Sequence, residues 1–368
     1  MFNLDEKKVF DYLNQKYSAD NFLKILSKDN LTEQDFACLV CADIDDSLSE
    51  KLALKARELT LKRFGMVKGL YIPLYLSNFC NNSCIYCGFR KDNKISRKTL
   101  TYSEIEQELT DIYKKGFRNI LLVSGEWNNF ENINYLEQSV LIAKKIGFQS
   151  ISVELGSLPE EYSKKLSQAG SEIFVLYQET YHPETYDKVH ISGLKKNYQF
   201  RLDAHERALK AGFRKANFGF LAGLFDARFE AISMFQHLKY IRQNFYSAEI
   251  GMSIPRITNA AGVDIQKYHV DDKLYARILM AFRLAFSDIT ISLSTRENQN
   301  FRDGMTDICI THLSTESKTM PGGYHSDNKE DLEQFAVVDN RNMSEMISML
   351  KTKGYDIHVK DWHQSLNL

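Results

Sequence analysis

Proline is scarce in this sequence, five residues in 368, and glycine stops at 18. That excludes collagen-like and low-complexity disordered chains, which are rich in one or both. An excess of either charge is also missing. Forty-seven basic residues against 48 acidic ones leave a formal net charge of −1, so no bulk field draws the chain to nucleic acid or an anionic membrane. No stretch approaches the roughly 20 apolar residues that span a bilayer. The opening MFNLDEKKVFDYLNQKY lacks the apolar run and small-residue cleavage site of a secretory signal, and a cytoplasmic protein is expected. In that compartment Cys38, Cys41, Cys80, Cys84, Cys87 and Cys309 are poor disulfide material. A close group among them reads first as metal-binding or catalytic.

What is present is a long chain with a periodic plan. At 43% hydrophobic and 26% charged residues it can bury a large core without staples. Residues 1–68 carry apolar positions at helical spacing and read as an N-terminal helical extension. From residue 69 short β-rich runs alternate with amphipathic stretches. Eight such runs are expected as strands: 71–76, 119–124, 150–155, 172–177, 216–221, 248–253, 289–294 and 308–313. Several intervening stretches end in Gly116, Gly147, Gly170 or Gly212, as helices commonly do. The fold class expected is α/β, a (β/α)8 TIM-type barrel over 69–314, with residues 315–368 as a C-terminal loop, helix and tail closing it. In such a barrel, function belongs at the C-terminal ends of the strands.

The segment SNFCNNSCIYCGFR follows the first run and spaces Cys80, Cys84 and Cys87 as Cys-x3-Cys-x2-Cys. Three thiolates on one loop suit a soft metal centre. A [4Fe–4S] cluster normally takes four cysteines, so one iron would keep an open position. Cys38, Cys41 and Cys309 could supply a fourth ligand only through the fold, and Cys38 and Cys41, in an apolar helical stretch, read as core thiols. The rival reading is a structural zinc loop, although no second Cys/His couple follows.

With Tyr86 before the last cysteine, Cys-x3-Cys-x-aromatic-Cys after the first strand of a barrel resembles the signature of radical S-adenosylmethionine (SAM) enzymes. The resemblance implies a [4Fe–4S] cluster on Cys80, Cys84 and Cys87, SAM on the open iron, and a 5′-deoxyadenosyl radical. Ser124-Gly125-Glu126 resembles that family's Gly-Gly-Glu segment with Ser in the first place, where the carboxylate would accept from the SAM ammonium. Glu154 ends the third run, where related enzymes bind the SAM ribose; a simple strand-end charge is the alternative. Arg201 opens a helix resembling one in biotin synthase whose early arginine binds the SAM carboxylate.

The segments RKTLTYSEI, VLYQETYHPETY, SIPRI, LSTRE, SKTMPGGY, EQFAVVDNR and GYDIHVKDW resemble, in order, the 2-iminoacetate synthase family, the tyrosine lyases of thiamine biosynthesis. That family cleaves the Cα–Cβ bond of L-tyrosine to 2-iminoacetate (dehydroglycine) and p-cresol. The implied partners are thiazole synthase and a flavodoxin or ferredoxin electron donor. A substrate carboxylate needs a clamp. Arg296 is the first candidate, beside Ser294 and Thr295; Arg256 is the second; Arg302 is the third, unless it pairs with Glu297 as scaffold. Glu179 or His182 could receive a proton or orient the phenol, and Tyr181 reads as substrate-binding or as packing. Gly322 and Gly323 would let main chain approach a ligand or simply form a turn. The alternatives are a tryptophan lyase, a hydrogenase-maturation lyase, whose further C-terminal cysteines are not seen here, and a non-enzymatic iron–sulfur or zinc module.

Overall fold

All but one of the β-rich runs hold their strands, and the strands close on themselves. The computed structural model describes residues 1–127, 130–260, 263, 265, 267–325 and 333–358. Its strands are β1 (Val67–Ser77), β2 (Asn119–Ser124), β3 (Ser150–Glu154), β4 (Ile173–Val175), β5 (Lys215–Phe218), β6 (Glu249–Ser253), β7 (Thr290–Leu293), β8 (His312–Ser314) and β9 (Asp356–His358). Each of β1 to β8 pairs in parallel with its neighbours, and β1 joins both β2 and β8, so the expected eight-stranded barrel is complete. β1 carries the closure because it is long: Gly69–Tyr71 pair with β8, Ile72–Ser77 with β2, and its first residues with β9.

Local signals set the helices between the strands. The helix Tyr102–Lys114 starts with a capping box, in which Thr101 and Glu104 each accept from the other's backbone N–H. Gly116, Gly147, Gly170 and Gly212 all have positive φ at helix ends, as expected of glycine there. Four helices fill the N-terminal part: Glu6–Leu13, Ala19–Leu26, Glu33–Cys41 and Asp46–Phe64. Helix Glu33–Cys41 lies against helices Ala227–Asn244 and Asp272–Ala285, with the Phe36 ring 4.8 Å from those of Phe235 and Phe282. Burying that one ring contributes about 1.5–3 kcal/mol.

Three expectations shift. The run at 308–313 is mostly not strand: Ile308, Cys309 and Ile310 all donate backbone N–H to Met305 O, ending helix Gln299–Thr306, and β8 begins only at His312. Their apolar character serves core packing instead. The stretch after β4 forms two helices, Tyr198–Leu202 and Ala204–Lys210, broken at Asp203. β9 was not anticipated, being three residues in a polar tail. Among the described residues no helix is long and apolar enough to cross a membrane. The terminal KDW and the end of SGEWNN lie outside the described residues.

Candidate active site

The loop that leaves β1 carries Cys80, Cys84 and Cys87, and polar side chains fix its path. The pairing of β1 with β2 slips between Tyr75 and Ser77, turning the chain out of the sheet. Arg97 then donates to the carbonyls of Asn78, Phe89 and Arg90, tying both ends of the loop together. Its middle pairs with the segment after helix Pro183–Val189: Ile85 N–H donates to Val189 O and Ile191 N–H to Ser83 O, both at 3.0 Å. Tyr86 Oη lies 2.7 Å from His190 Nε2. The thiols have soft donors of their own, Asn82 Nδ2 to Cys80 Sγ and Gln334 Nε2 to Cys87 Sγ, each at 3.7 Å.

Burial pushes the Cys80 and Cys84 thiols up from their ordinary range, so their thiolates need a positive centre between them. Among the described residues no three His, Cys, Asp or Glu side chains converge as ligands of one metal ion. A cubane takes one thiolate per iron, so three thiols spread along one loop need not meet at a single point. The other cysteines are elsewhere. Cys38 and Cys41 sit on the outer helix Glu33–Cys41, and Cys309 is buried before β8, at the opposite end of the barrel from the loop. The donor set therefore fits a cluster with three protein ligands.

Beside this loop, the end of β2 is pressed close. A Cβ on Gly125 would stand 2.0 Å from Phe79 O and 3.2 Å from Cys80 Cβ, so only glycine fits. Ser124 Oγ turns back to Gly125 O at 3.0 Å. Glu126 accepts from Asn82 Nδ2 and Ser157 N–H, both at 2.7 Å, and lies 3.7 Å from Arg201 Nη1. Arg201 is 3% exposed, and its Nη1 has no hydrogen-bond partner, an orphaned cationic donor of the kind a bound carboxylate satisfies.

A cavity of about 120 Å³ opens at the C-terminal ends of the strands. Tyr86 and Cys87 reach it from the loop, Glu154 from β3, and Glu179, Ser294, Thr295 and Arg296 from the segments after β4 and β7. Glu179 holds a left-handed φ of 71°, uncommon for a residue with a side chain. Burial raises its pKa, but Lys195 at 2.6 Å and Arg201 at 3.3 Å outweigh that and hold it below the ordinary value. Glu154 goes the other way. Burial first, and then Glu179, push its pKa up to about 7. The Arg296 guanidinium lies over the Phe335 ring, 3.4 Å from its centroid, and makes no ion pair or side-chain hydrogen bond to a described residue.

Four expected site residues, Arg256, Arg302, His182 and Tyr181, are not brought to this cavity. Arg256 is consumed by Glu297, Asp272 and Val270 O, which leaves no donor face for a substrate. Glu297 therefore pairs with Arg256 and not with Arg302, whose buried partners are Asp339 and Ser314 O. His182 points to the N-terminal helices: its Nδ1 accepts from Thr185 N–H, capping Pro183–Val189, and its ring stacks on Phe225 at 3.9 Å. Tyr181 is buried, with its hydroxyl 3.0 Å from His237 Nδ1. The backbone N–H groups of Gly323 and Tyr324 donate to Glu108, so the PGGY loop anchors on a helix and does not line the cavity.

Lys195, Gln334 and Phe335 were not singled out from the sequence, although all three line the cavity. Lys195 follows Gly193 in a polar turn with no motif of its own. Phe335 lay in EQFAVVDNR, a segment noted for resemblance but given no role.

Comparison with known proteins agrees with this geometry. Residues 74–235 match the Radical SAM superfamily, and residues 253–356 match the Biotin and Thiamin Synthesis associated domain. The chain is 36% identical over 355 residues to the 2-iminoacetate synthase of Escherichia coli K12, covering 96% of this chain and 93% of that one. HydG, a maturase of the [FeFe]-hydrogenase, superposes with a TM-score of 0.92 at 29% identity, over 97% of this chain and 80% of HydG. Methylornithine synthase (PylB) shares the fold, with a TM-score of 0.76 at 22% identity over 94% of this chain and 98% of PylB. With three thiols on the β1 loop, a cavity over the barrel that holds Arg296 and Lys195, and this similarity along almost its whole length, the chain belongs to the 2-iminoacetate synthase family of radical SAM enzymes.

Proposed function

We propose that the chain cleaves the Cα–Cβ bond of L-tyrosine to give 2-iminoacetate and p-cresol, supplying thiazole formation in thiamine biosynthesis. The observation that carries the substrate assignment is Arg296, a cavity-lining guanidinium with no ion pair to a described residue, with the hydroxyl residues Ser294 and Thr295 in the same lining, a donor set an amino-acid carboxylate can use.

When bound, the [4Fe–4S] cluster and SAM supply a 5′-deoxyadenosyl radical that abstracts hydrogen. Cys80, Cys84 and Cys87 would hold the cluster, and Arg201, Glu126 and the closely packed Gly125 would border the SAM methionine part. In the cavity, Arg296 with Ser294 and Thr295 fixes the substrate carboxylate, which orients the amine and the bond to be broken. Tyr75, Tyr177 and Phe335 give the phenol ring an aromatic wall that keeps water out. Glu179, kept anionic by Lys195 and Arg201, is a fixed negative charge. Glu154 can hold or release a proton near neutral pH, so the two carboxylates are split in role by their surroundings.

The imine is short-lived in water, so direct transfer to thiazole synthase belongs to this reading, as does a flavodoxin or ferredoxin as reductant. So does a division into a helical extension (1–68), the barrel (69–314) and a closing segment (315–368). Anaerobic reduced enzyme given SAM and tyrosine should release p-cresol with 5′-deoxyadenosine. An indolic product from tryptophan, with none from tyrosine, would overturn the substrate assignment.

A further inference from the structure

The interiors of such barrels are normally packed with layers of Val, Ile and Leu. Here Leu121, Ile173 and Val175 share the bore with small polar residues: Ser150 and Ser152 on β3, Asn217 on β5, Ser253 on β6, and Thr290 and Ser292 on β7. They leave a chamber of about 70 Å³ in the bore. At roughly 10–15 Å³ for each water-sized position, that is room for about five heavy atoms.

Lys215 enters this chamber from the start of β5. It is 5% exposed, and its ammonium has no hydrogen bond or ion pair among the described residues. Among the described residues no aspartate or glutamate lines the chamber. A side chain this buried whose ammonium has no counter-ion in the chamber is one an anion would stabilise, whereas a purely structural lysine would be set beside a carboxylate or a carbonyl. Lys68 shows that alternative in the same barrel, its Nζ donating to Ile310 O at 2.7 Å.

The chamber also connects. It shares Tyr71, Leu121 and Tyr177 with the cavity above, and Lys215, Thr290 and His312 with a recess of about 460 Å³ at the N-terminal ends of the strands. Lys215 thus stands where the bore meets that recess. We propose that the bore is an anion site for a two-carbon monocarboxylate, with the Lys215 ammonium as counter-ion. That the natural occupant is the 2-iminoacetate released above rests on the proposed function; the anion site itself does not. The aromatic fragment, with eight heavy atoms to the imine's five, exceeds the room available.

The test is titration of anaerobically reconstituted, unreduced enzyme with glycolate, an unreactive two-carbon carboxylate. SAM and tyrosine are present at saturation, so that the upper cavity is filled and no turnover occurs. One site per chain is expected, unaffected by Arg296→Met and weakened at least tenfold by Lys215→Met. Ser292→Leu, which fills the chamber and leaves the lysine, should abolish the same site and carries the test if Lys215→Met does not fold. Absence of saturable binding, or binding that survives both Lys215→Met and Ser292→Leu, overturns the inference. If glycolate binds at Lys215 but tyrosine yields no p-cresol, the proposed function fails and the anion site stands.

Discussion

Removal of the Arg296 guanidinium should damage substrate binding and spare the fold, and the structure gives the size of both effects. Two charge-assisted hydrogen bonds to a carboxylate, at about 1.5–3 kcal/mol each, make about 3 kcal/mol the lower estimate of the loss in Arg296→Met. That is roughly a 150-fold fall in kcat/KM for tyrosine, carried mainly by KM. Stability should fall by only about 1 kcal/mol, because the side chain has no ion pair with a described residue and gives up chiefly its stacking on Phe335 and a longer-range attraction to Glu154 and Glu179. Arg256→Met should do the reverse. It strands Glu297, which is 3% exposed, and costs about 3–5 kcal/mol of stability. The assay is p-cresol formation against tyrosine concentration under reducing anaerobic conditions, with thermal midpoints measured in parallel. An unchanged KM in Arg296→Met, in a variant that melts with the wild type, would refute the assignment of the clamp.

Other outcomes can be stated more briefly. Glu230 is buried behind the Glu179 loop, where Thr180 Oγ and Tyr181 N–H bond to it, and burial pushes its pKa up to about 8. The folded chain therefore holds a proton that the unfolded chain releases near pH 4.5, so this group's contribution to stability declines as pH rises towards 8, by up to about 1.4 kcal/mol per unit. Glu230→Gln should flatten the fall in thermal midpoint over that range, and an unaltered slope would show the group is ionised throughout. Cys84→Ala should abolish cluster absorbance and 5′-deoxyadenosine formation, while Cys38→Ala, on the outer helix, should retain both; parallel loss in the two variants would count against the ligand set. Gly125→Val must push the cluster loop away from β2, so reconstituted iron content should drop, and full iron loading would contradict the contact with Phe79.

The barrel was legible because its evidence is local: alternating apolar runs, capping residues and helix-ending glycines each act within a few positions. The Cys80–Cys87 spacing was legible for the same reason. What could not be read was partnership across the chain. Arg256, Arg296 and Arg302 all follow or flank strand ends in the sequence, and only the packing shows that two of them are committed to acids while Arg296 pairs with no acid among the described residues. His182 sits in a loop that looked catalytic, yet the proline after it starts a helix that takes the ring as its cap. Lys215 opens a strand as an ordinary charge would, and its isolation appears only when eight strands are wrapped round it.

The length of β1 has a bearing on biogenesis. This strand bonds to β2, which follows closely, but also to β8 and β9, made more than 240 residues later, and its loop receives Gln334 at Cys87. A nascent chain emerging at a few residues per second thus displays its three thiols long before the architecture that shelters them exists. Truncation before residue 334 removes both the Gln334 contact and β9, and should lower the iron bound on reconstitution.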